Sequence, residues 1–109
     1  MNCNTTNLIY LITCSKCNKK YVGETRRTLK ERLNNHRSDI KLKKSTTIAI
    51  HFNGFQHNVT QLKITPLEII PEDKNEYRLE MEKIWIKRLN TTYPFGLNYY
   101  PVNYDVNNK

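Results

Sequence analysis

The sequence predicts an α+β domain: a small three-stranded antiparallel sheet flanked by helices. One observation is a continuous apolar run, Leu8 to Thr13, separated by a polar, lysine-rich turn from a second strand-like run at Lys20 to Gly23. Another is Thr28 with Glu31 three residues on, a capping-box signature at the head of an amphipathic stretch. A third is the recurrence of apolar residues at helical spacing around Trp85.

Each element has its own justification. Leu8 to Thr13 reads as a buried strand because its apolar residues run on without alternating. If its hairpin with Lys20–Gly23 is symmetric, Cys14 opposes Cys17 and Tyr10 opposes Tyr21, with both phenols on one face. A two-residue Ser15-Lys16 loop lacks the Asn or Gly that tight hairpins place at positive φ, so the turn is expected to reach Asn18. A helix follows from about Thr28 to Lys43, with an apolar stripe of Leu29, Leu33 and Ile40. Arg32 and His36 fall on the same stripe. Turned toward the sheet they need partners there; at the stripe's edge they reach water instead. Thr47 to Phe52 forms a short helical turn. Leu62 to Ile70 is the third strand; Pro66 interrupts it and the apolar phase shifts, which calls for a bulge or an edge position. A second long helix, from about Lys74 to Leu89, is expected to bury Met81, Ile84, Trp85 and Leu89, with Glu82 at the margin of that face. Pro94, Gly96 and Pro101 mark an irregular, aromatic-rich ending.

At 109 residues the chain is expected to be one domain, 1–109. Its tails, Met1 to Asn7 and Asn103 to Lys109, are polar and read as cut points within a larger protein. The formal charge of +8 favours a polyanionic partner, nucleic acid before an anionic membrane. No segment approaches the roughly 18 apolar residues of a membrane span, and Leu8 to Ile12 is too short for a signal peptide. An odd count of 3 cysteines, two of them at C-x-x-C spacing, argues for an intracellular, reducing setting over a disulfide scaffold. The N-x-[ST] triplets at Asn4, Asn58 and Asn90 carry no weight in such a setting.

The polar residues fit phosphodiester chemistry. Hydrolysis needs an activated water, charge neutralisation in the transition state and help for the leaving oxygen. Arg32 offers a permanently charged donor fork. Glu82 can hold one hard divalent cation, Mg2+ or Mn2+. A tyrosine can orient the water, or take its proton if nearby cations lower a phenol pKa of about 10. His36, one helical turn from Arg32, can relay a proton or bond a phenol or phosphate.

These residues occur in an order that resembles the GIY-YIG endonuclease domain, in the variety found in Penelope-like retroelements. Leu8-Ile9-Tyr10 stands for the first motif, with Leu in place of Gly, a change that touches strand packing and no reacting group. Tyr21-Val22-Gly23 is the second motif. The pattern continues through Glu24-Thr25, Leu29, Arg32, His36, His51-Phe52-Asn53, Glu82-Lys83-Ile84-Trp85-Ile86, Leu89-Asn90 and Tyr93-Pro94-Phe95-Gly96-Leu97-Asn98. The resemblance implies that Tyr10 or Tyr21 activates the water and that Arg32 stabilises the transition state. It further implies that His36 assists, that Glu82 binds the metal and that Asn98 lies near the site. It implies DNA cut to a 5′ phosphate and a 3′ hydroxyl, which in a retroelement primes reverse transcription. It also implies a nuclear location, and fusion to a reverse transcriptase in the parent protein. The isolated domain is expected to be a monomer.

Cys14 and Cys17 form half of a zinc site, and His51 and His57 are the best supply of the other half, as in the Penelope-like arrangement. His36 and Cys3 compete as ligands; unliganded thiols and a redox pair are the other readings. Lys20, Arg26, Arg27, Lys30 and Arg37 are expected to form a phosphate-tracking rim, or else an ordinary solvated surface. Two function classes follow: a metal-dependent nicking endonuclease, and a catalytically inactive, zinc-stabilised nucleic-acid-binding module.

Overall fold

The computed structural model describes residues 4–71 and 75–99. Cys3, Lys74, Pro101 and the tail from Asn103 to Lys109 lie outside the described residues. Three strands form one antiparallel sheet in the order β2-β1-β3: β1 (Thr6–Cys14) lies in the centre, between β2 (Lys20–Thr28) and β3 (Leu62–Ile69). Helices α1 (Leu29–Lys41) and α2 (Thr47–Phe52) cover one face, and α3 (Asn75–Leu89) covers the other.

This layering explains the unbroken apolar run of β1. Alternate residues of a strand point to opposite faces, and here both faces are covered. Leu8, Tyr10, Ile12 and Cys14 pack with Leu29, Ile40, Ile48, Ala49, Phe52 and Leu62 on the α1–α2 side. Ile9 and Leu11 point the other way, toward Val22, Ile70, Ile86 and the flank of α3.

The hairpin register differs from the symmetric one. Tyr10 opposes Gly23, and Tyr21 opposes Ile12. The shift is two residues, so Tyr21 stays on the face of Tyr10. The cause is the longer turn: Asn18 donates its backbone N–H to the Cys14 carbonyl at 2.7 Å and adopts φ 64°, which Asn tolerates. β2 also runs on past Gly23 to Thr28. No loop separates it from α1, because Thr28 is both its last residue and the cap of the helix. Its hydroxyl accepts from Glu31 N–H, and the Glu31 carboxylate accepts from Thr28 N–H.

β3 has both irregularities that Pro66 called for. It is an edge strand, and its register slips between the pairs Ile9–Glu68 and Tyr10–Pro66. On α3 the inward row is buried Arg78, half-buried Glu82 and buried Ile86, four residues apart, and Ile84 lies on the solvent side at 39 % exposure. Met81, Trp85 and Leu89 flank the row. The expected stripe thus had the helix turned so that Ile84 faced inward; at 100° per residue Ile84 and Ile86 cannot share a face.

Arg78 holds the start of α3 to the sheet. Its Nε–H donates to Glu24 Oε1 at 2.6 Å and its Nη1 to Asn7 Oδ1 at 2.7 Å, with only 5 % of the residue exposed. Asn7 in turn donates to the Ile70 and Pro71 carbonyls at the end of β3. Arg78→Met strands the Glu24 carboxylate, and is expected to lower unfolding free energy by about 3 kcal/mol in urea titration. In Arg78→Met/Glu24→Gln the loss should be smaller than the sum of the single losses, by about 1 kcal/mol.

Candidate active site

Tyr10 is fully buried, so its hydroxyl must find partners inside the protein. It has two. Arg32 Nε–H donates to it at 3.0 Å, and His36 Nε2 lies 2.8 Å away. Arginine has no acceptor, so the phenol proton can only point at His36 Nε2, and the neutral imidazole carries its own proton on Nδ1. Arg32 and His36 therefore face the sheet and do not skirt the stripe to water. Burial, then the Arg32 charge, lowers the His36 pKa to about 4. Its ring also sits edge-on to Tyr21, with centroids 6.2 Å apart.

Gly23 makes this arrangement possible. It faces Tyr10 across the strand pair, and a Cβ there would overlap the phenol ring and hydroxyl. The glycine is needed for close approach, not for an unusual backbone angle.

Glu82 reaches the site from α3 and is half-buried. Burial, then the Glu24 charge, pushes its pKa up to about 7 against the pull of Lys83, Arg32 and Arg78. A carboxylate desolvated beside a second carboxylate is a fitting ligand for a divalent cation, whose charge relieves both penalties. The Tyr21 pKa is raised by burial first, then by the charges of Glu82 and Glu24, with Arg32 opposing. That of Tyr10 is raised as well, mainly by burial and then by Tyr21. Arg32 draws both phenols down, but by less than burial pushes them up.

Asn98 lies against β2 next to Tyr21. Its Oδ1 accepts from Val22 N–H at 2.9 Å and from the Thr91 hydroxyl at 2.7 Å, and its Nδ2 donates to the Val22 carbonyl at 3.0 Å. These bonds hold β2 beside Tyr21, so Asn98 positions the site. Beyond it along β2 opens a cleft lined by Glu24, Thr25, Arg26, Arg27, Arg32, Asn35 and Arg78. Arg26 and Arg27 are therefore where the rim was expected. Lys30 is exposed on α1 outside the cleft lining, Lys20 folds its amine back toward Asn18, and Arg37 lines a separate groove with Ile40, Lys41, Val59 and Thr60.

Residues 6–98 match the model of a protein family described as the GIY-YIG catalytic domain. The chain belongs to the GIY-YIG family. No curated protein sequence matches it. Its fold is similar to a solved structure of the catalytic domain of the homing endonuclease I-TevI, with a TM-score of 0.69 and 28 % identity over 84 % of this chain and 96 % of that one. A glutamate-to-alanine mutant of the I-TevI catalytic domain, an intron endonuclease, aligns with a TM-score of 0.73 and 28 % identity over 87 % of this chain and 94 % of that one.

Away from the cleft, this GIY-YIG chain gathers Cys14, Cys17, His51 and His57 so that one ligand atom from each lies within 4.8 Å of the others. Tetrahedral zinc at a Zn–S distance of about 2.3 Å sets sulfurs about 3.8 Å apart, so only a small contraction closes the shell. His57 is already oriented: Nδ1–H donates to the Phe55 carbonyl at 3.0 Å, leaving a buried Nε2 with no partner among the described residues. Burial opposes ionisation of Cys17, but His57, a backbone hydrogen bond at Lys19 and Cys14 together draw its pKa down. These four residues can hold a metal ion. His36 cannot join them, because Tyr10 occupies it.

Two residues near the site, Arg78 and Asn7, escaped the sequence reading, as did the pairing of Glu24 with Arg78. Arg78 was within reach, since it lies four residues before Glu82 and so shares its helix face.

The lowered His36 pKa has a stability consequence. Neutral His36 favours the fold in full above an unfolded pKa of about 6.5, and that contribution fades as pH falls from there toward the folded value of about 4. The wild type should lose about 3 kcal/mol more than His36→Gln across that window, read from urea titrations at each pH.

Proposed function

We propose that the endonuclease activity of this GIY-YIG domain is a metal-dependent nick of one DNA strand that leaves a 5′ phosphate and a 3′ hydroxyl. The observation that carries the reading is the hydrogen-bonded set Arg32–Tyr10–His36, within electrostatic reach of Glu82 and beside an arginine-lined cleft. Arg32 spends its Nε on Tyr10, which aims its outer nitrogens at a phosphate in the cleft. Tyr10, with its hydroxyl committed on both sides, holds Arg32 and His36 in place. Tyr21 is the phenol left to orient the attacking water, since no side chain among the described residues engages its hydroxyl. With its raised pKa it keeps its proton and acts as a donor and acceptor, not as a strong base. Glu82 would hold the Mg2+ or Mn2+, which when bound supplies Lewis-acid stabilisation of the phosphate oxygens and a more acidic water.

The cysteine and histidine cluster is assigned to structural zinc, which ties the β1–β2 turn to the segment after α2. That cluster supports the Penelope-like retroelement type. In that setting residues 1–109 are one module of a larger protein with a reverse transcriptase. The module acts in the nucleus as a monomer, and the new 3′ hydroxyl primes DNA synthesis. One observation favours a second reading, an inactive nucleic-acid-binding module: both phenol pKa values move in the direction that disfavours a base.

Nicking of supercoiled plasmid separates the two readings. Wild type with Mg2+ or Mn2+ should convert it to open circles, and Glu82→Ala should do so at least about 100-fold more slowly. Equal rates, or no nicking by either, would support the inactive module. For zinc, metal analysis should return one ion per chain, and its removal by a chelator should lower Tm by about 10 °C, the equivalent of about 2 kcal/mol. Protein that purifies folded and metal-free rules zinc out.

A further inference from the structure

The turn after α3 is held by backbone hydrogen bonds from Thr91, Tyr93, Phe95, Gly96, Leu97 and Asn98, yet displays its largest side chains to solvent. Leu97 N–H donates to the Lys20 carbonyl at 2.8 Å, and Asn98 brackets Val22. A Cβ on Gly96 would press on Thr91 Cα at 2.7 Å and on the Lys20 carbonyl at 2.8 Å, so the turn lies flat against the start of β2. From this clamped backbone Phe95 stands 70 % exposed, with Tyr93 at 56 % and Tyr99 at 50 %. The two tyrosines stack on each other, with centroids 5.0 Å and planes 24° apart. Exposed rings of this size add little to folding, and isolated exposed apolar residues are ordinary, but three in one rigid turn form a surface.

We infer that Phe95 and the stacked Tyr93–Tyr99 pair form a platform for an unpaired nucleobase, so that the domain prefers DNA with unpaired bases beside the cut over continuous duplex. The inference rests on the DNA-cutting reading of the cleft and names the substrate class of that same site. Three facts favour a nucleobase over an apolar protein partner. The turn is bonded to Lys20 and Val22, the two residues that flank Tyr21, so a strand threaded past Tyr21 brings its neighbouring base to the platform. Residues 91–99 contain no Asp or Glu to repel a phosphate backbone. The flanking strand leads toward Arg26, Arg27 and Arg32 in the cleft, which supplies cations for the phosphates on one side while the rings supply stacking on the other. Stacking tolerates any base, because each has a π-face.

The test uses the Glu82→Ala chain, which binds without cutting, and one DNA sequence in three forms: single strand, continuous duplex, and duplex with an internal unpaired bubble. Fluorescence anisotropy should give about tenfold tighter binding to the bubble and the single strand than to the duplex, and Phe95→Ala should bring that ratio near one with Tm unchanged. A 2-aminopurine placed in the bubble should be quenched by Glu82→Ala protein and less so once Phe95→Ala is added. Equal affinity for all three DNAs, a preference that survives both Phe95→Ala and Tyr93→Ala, or no binding to any of them overturns the platform. Duplex nicking by wild type without a bubble preference overturns the platform alone. A bubble preference in a protein that never nicks upholds the platform and overturns the nuclease reading.

Discussion

The hydroxyl of Tyr10 is the point on which the rest of the molecule depends. A phenol on the central strand of a sheet covered on both faces has no access to water, so every bond it makes must come from protein. Arg32 and His36 satisfy it from one face of α1, and in doing so fix the rotation of that helix against the sheet. The demand propagates outward. The ring needs the space that Gly23 leaves open on β2, and His36 must stay neutral to accept the proton. A core requirement and a candidate active site are thus met by the same atoms.

Much of this was legible in the sequence, and for physical reasons. The continuous apolar run of Leu8–Thr13 marks a strand buried on both sides, and Thr28 with Glu31 marks a cap; both are local signals that tertiary structure did not override. The bulge at Pro66 was visible because proline cannot donate to a ladder. Less visible were the effects that depend on burial. Arg32 lies close to both phenols as expected, yet the sign of their pKa shift follows from desolvation, which no spacing rule reports. Asn98 was expected near the site, but only coordinates show its amide bonded to Val22. The facing of α3 was misread because Ile84 is apolar and exposed, while Arg78 is charged and buried.

The buried charges sort the molecule into two kinds of polar cluster. At the junction of Asn7, Glu24 and Arg78, each carboxylate or amide oxygen has a close donor, and the result is attachment of α3 to the sheet. At Glu82, His57 Nε2 and His36 Nδ1 the polar atoms remain short of compensation: the carboxylate is pushed toward protonation by its surroundings, and the two ring nitrogens are buried with no partner among the described residues. The first kind holds the fold together without help. A cation can relieve Glu82 beside the cleft and His57 near the tip of the hairpin, and these two places lie on different elements.

The direct passage of β2 into α1 at Thr28 sets a limit on how this domain can vary in length. Tyr21 sits on the strand and Arg32 on the helix, with no loop between them to absorb an added or missing residue. One extra residue would carry the following side chains to the opposite face of the strand, or turn the helix by about 100°, and either would take Arg32 away from Tyr10. The hairpin turn at residues 15–19 is bound in the same way, since its length sets the register that keeps Tyr21 on the face of Tyr10. Chain length is therefore locked from Tyr21 to Arg32, a constraint that any grafted or spliced version of the domain inherits.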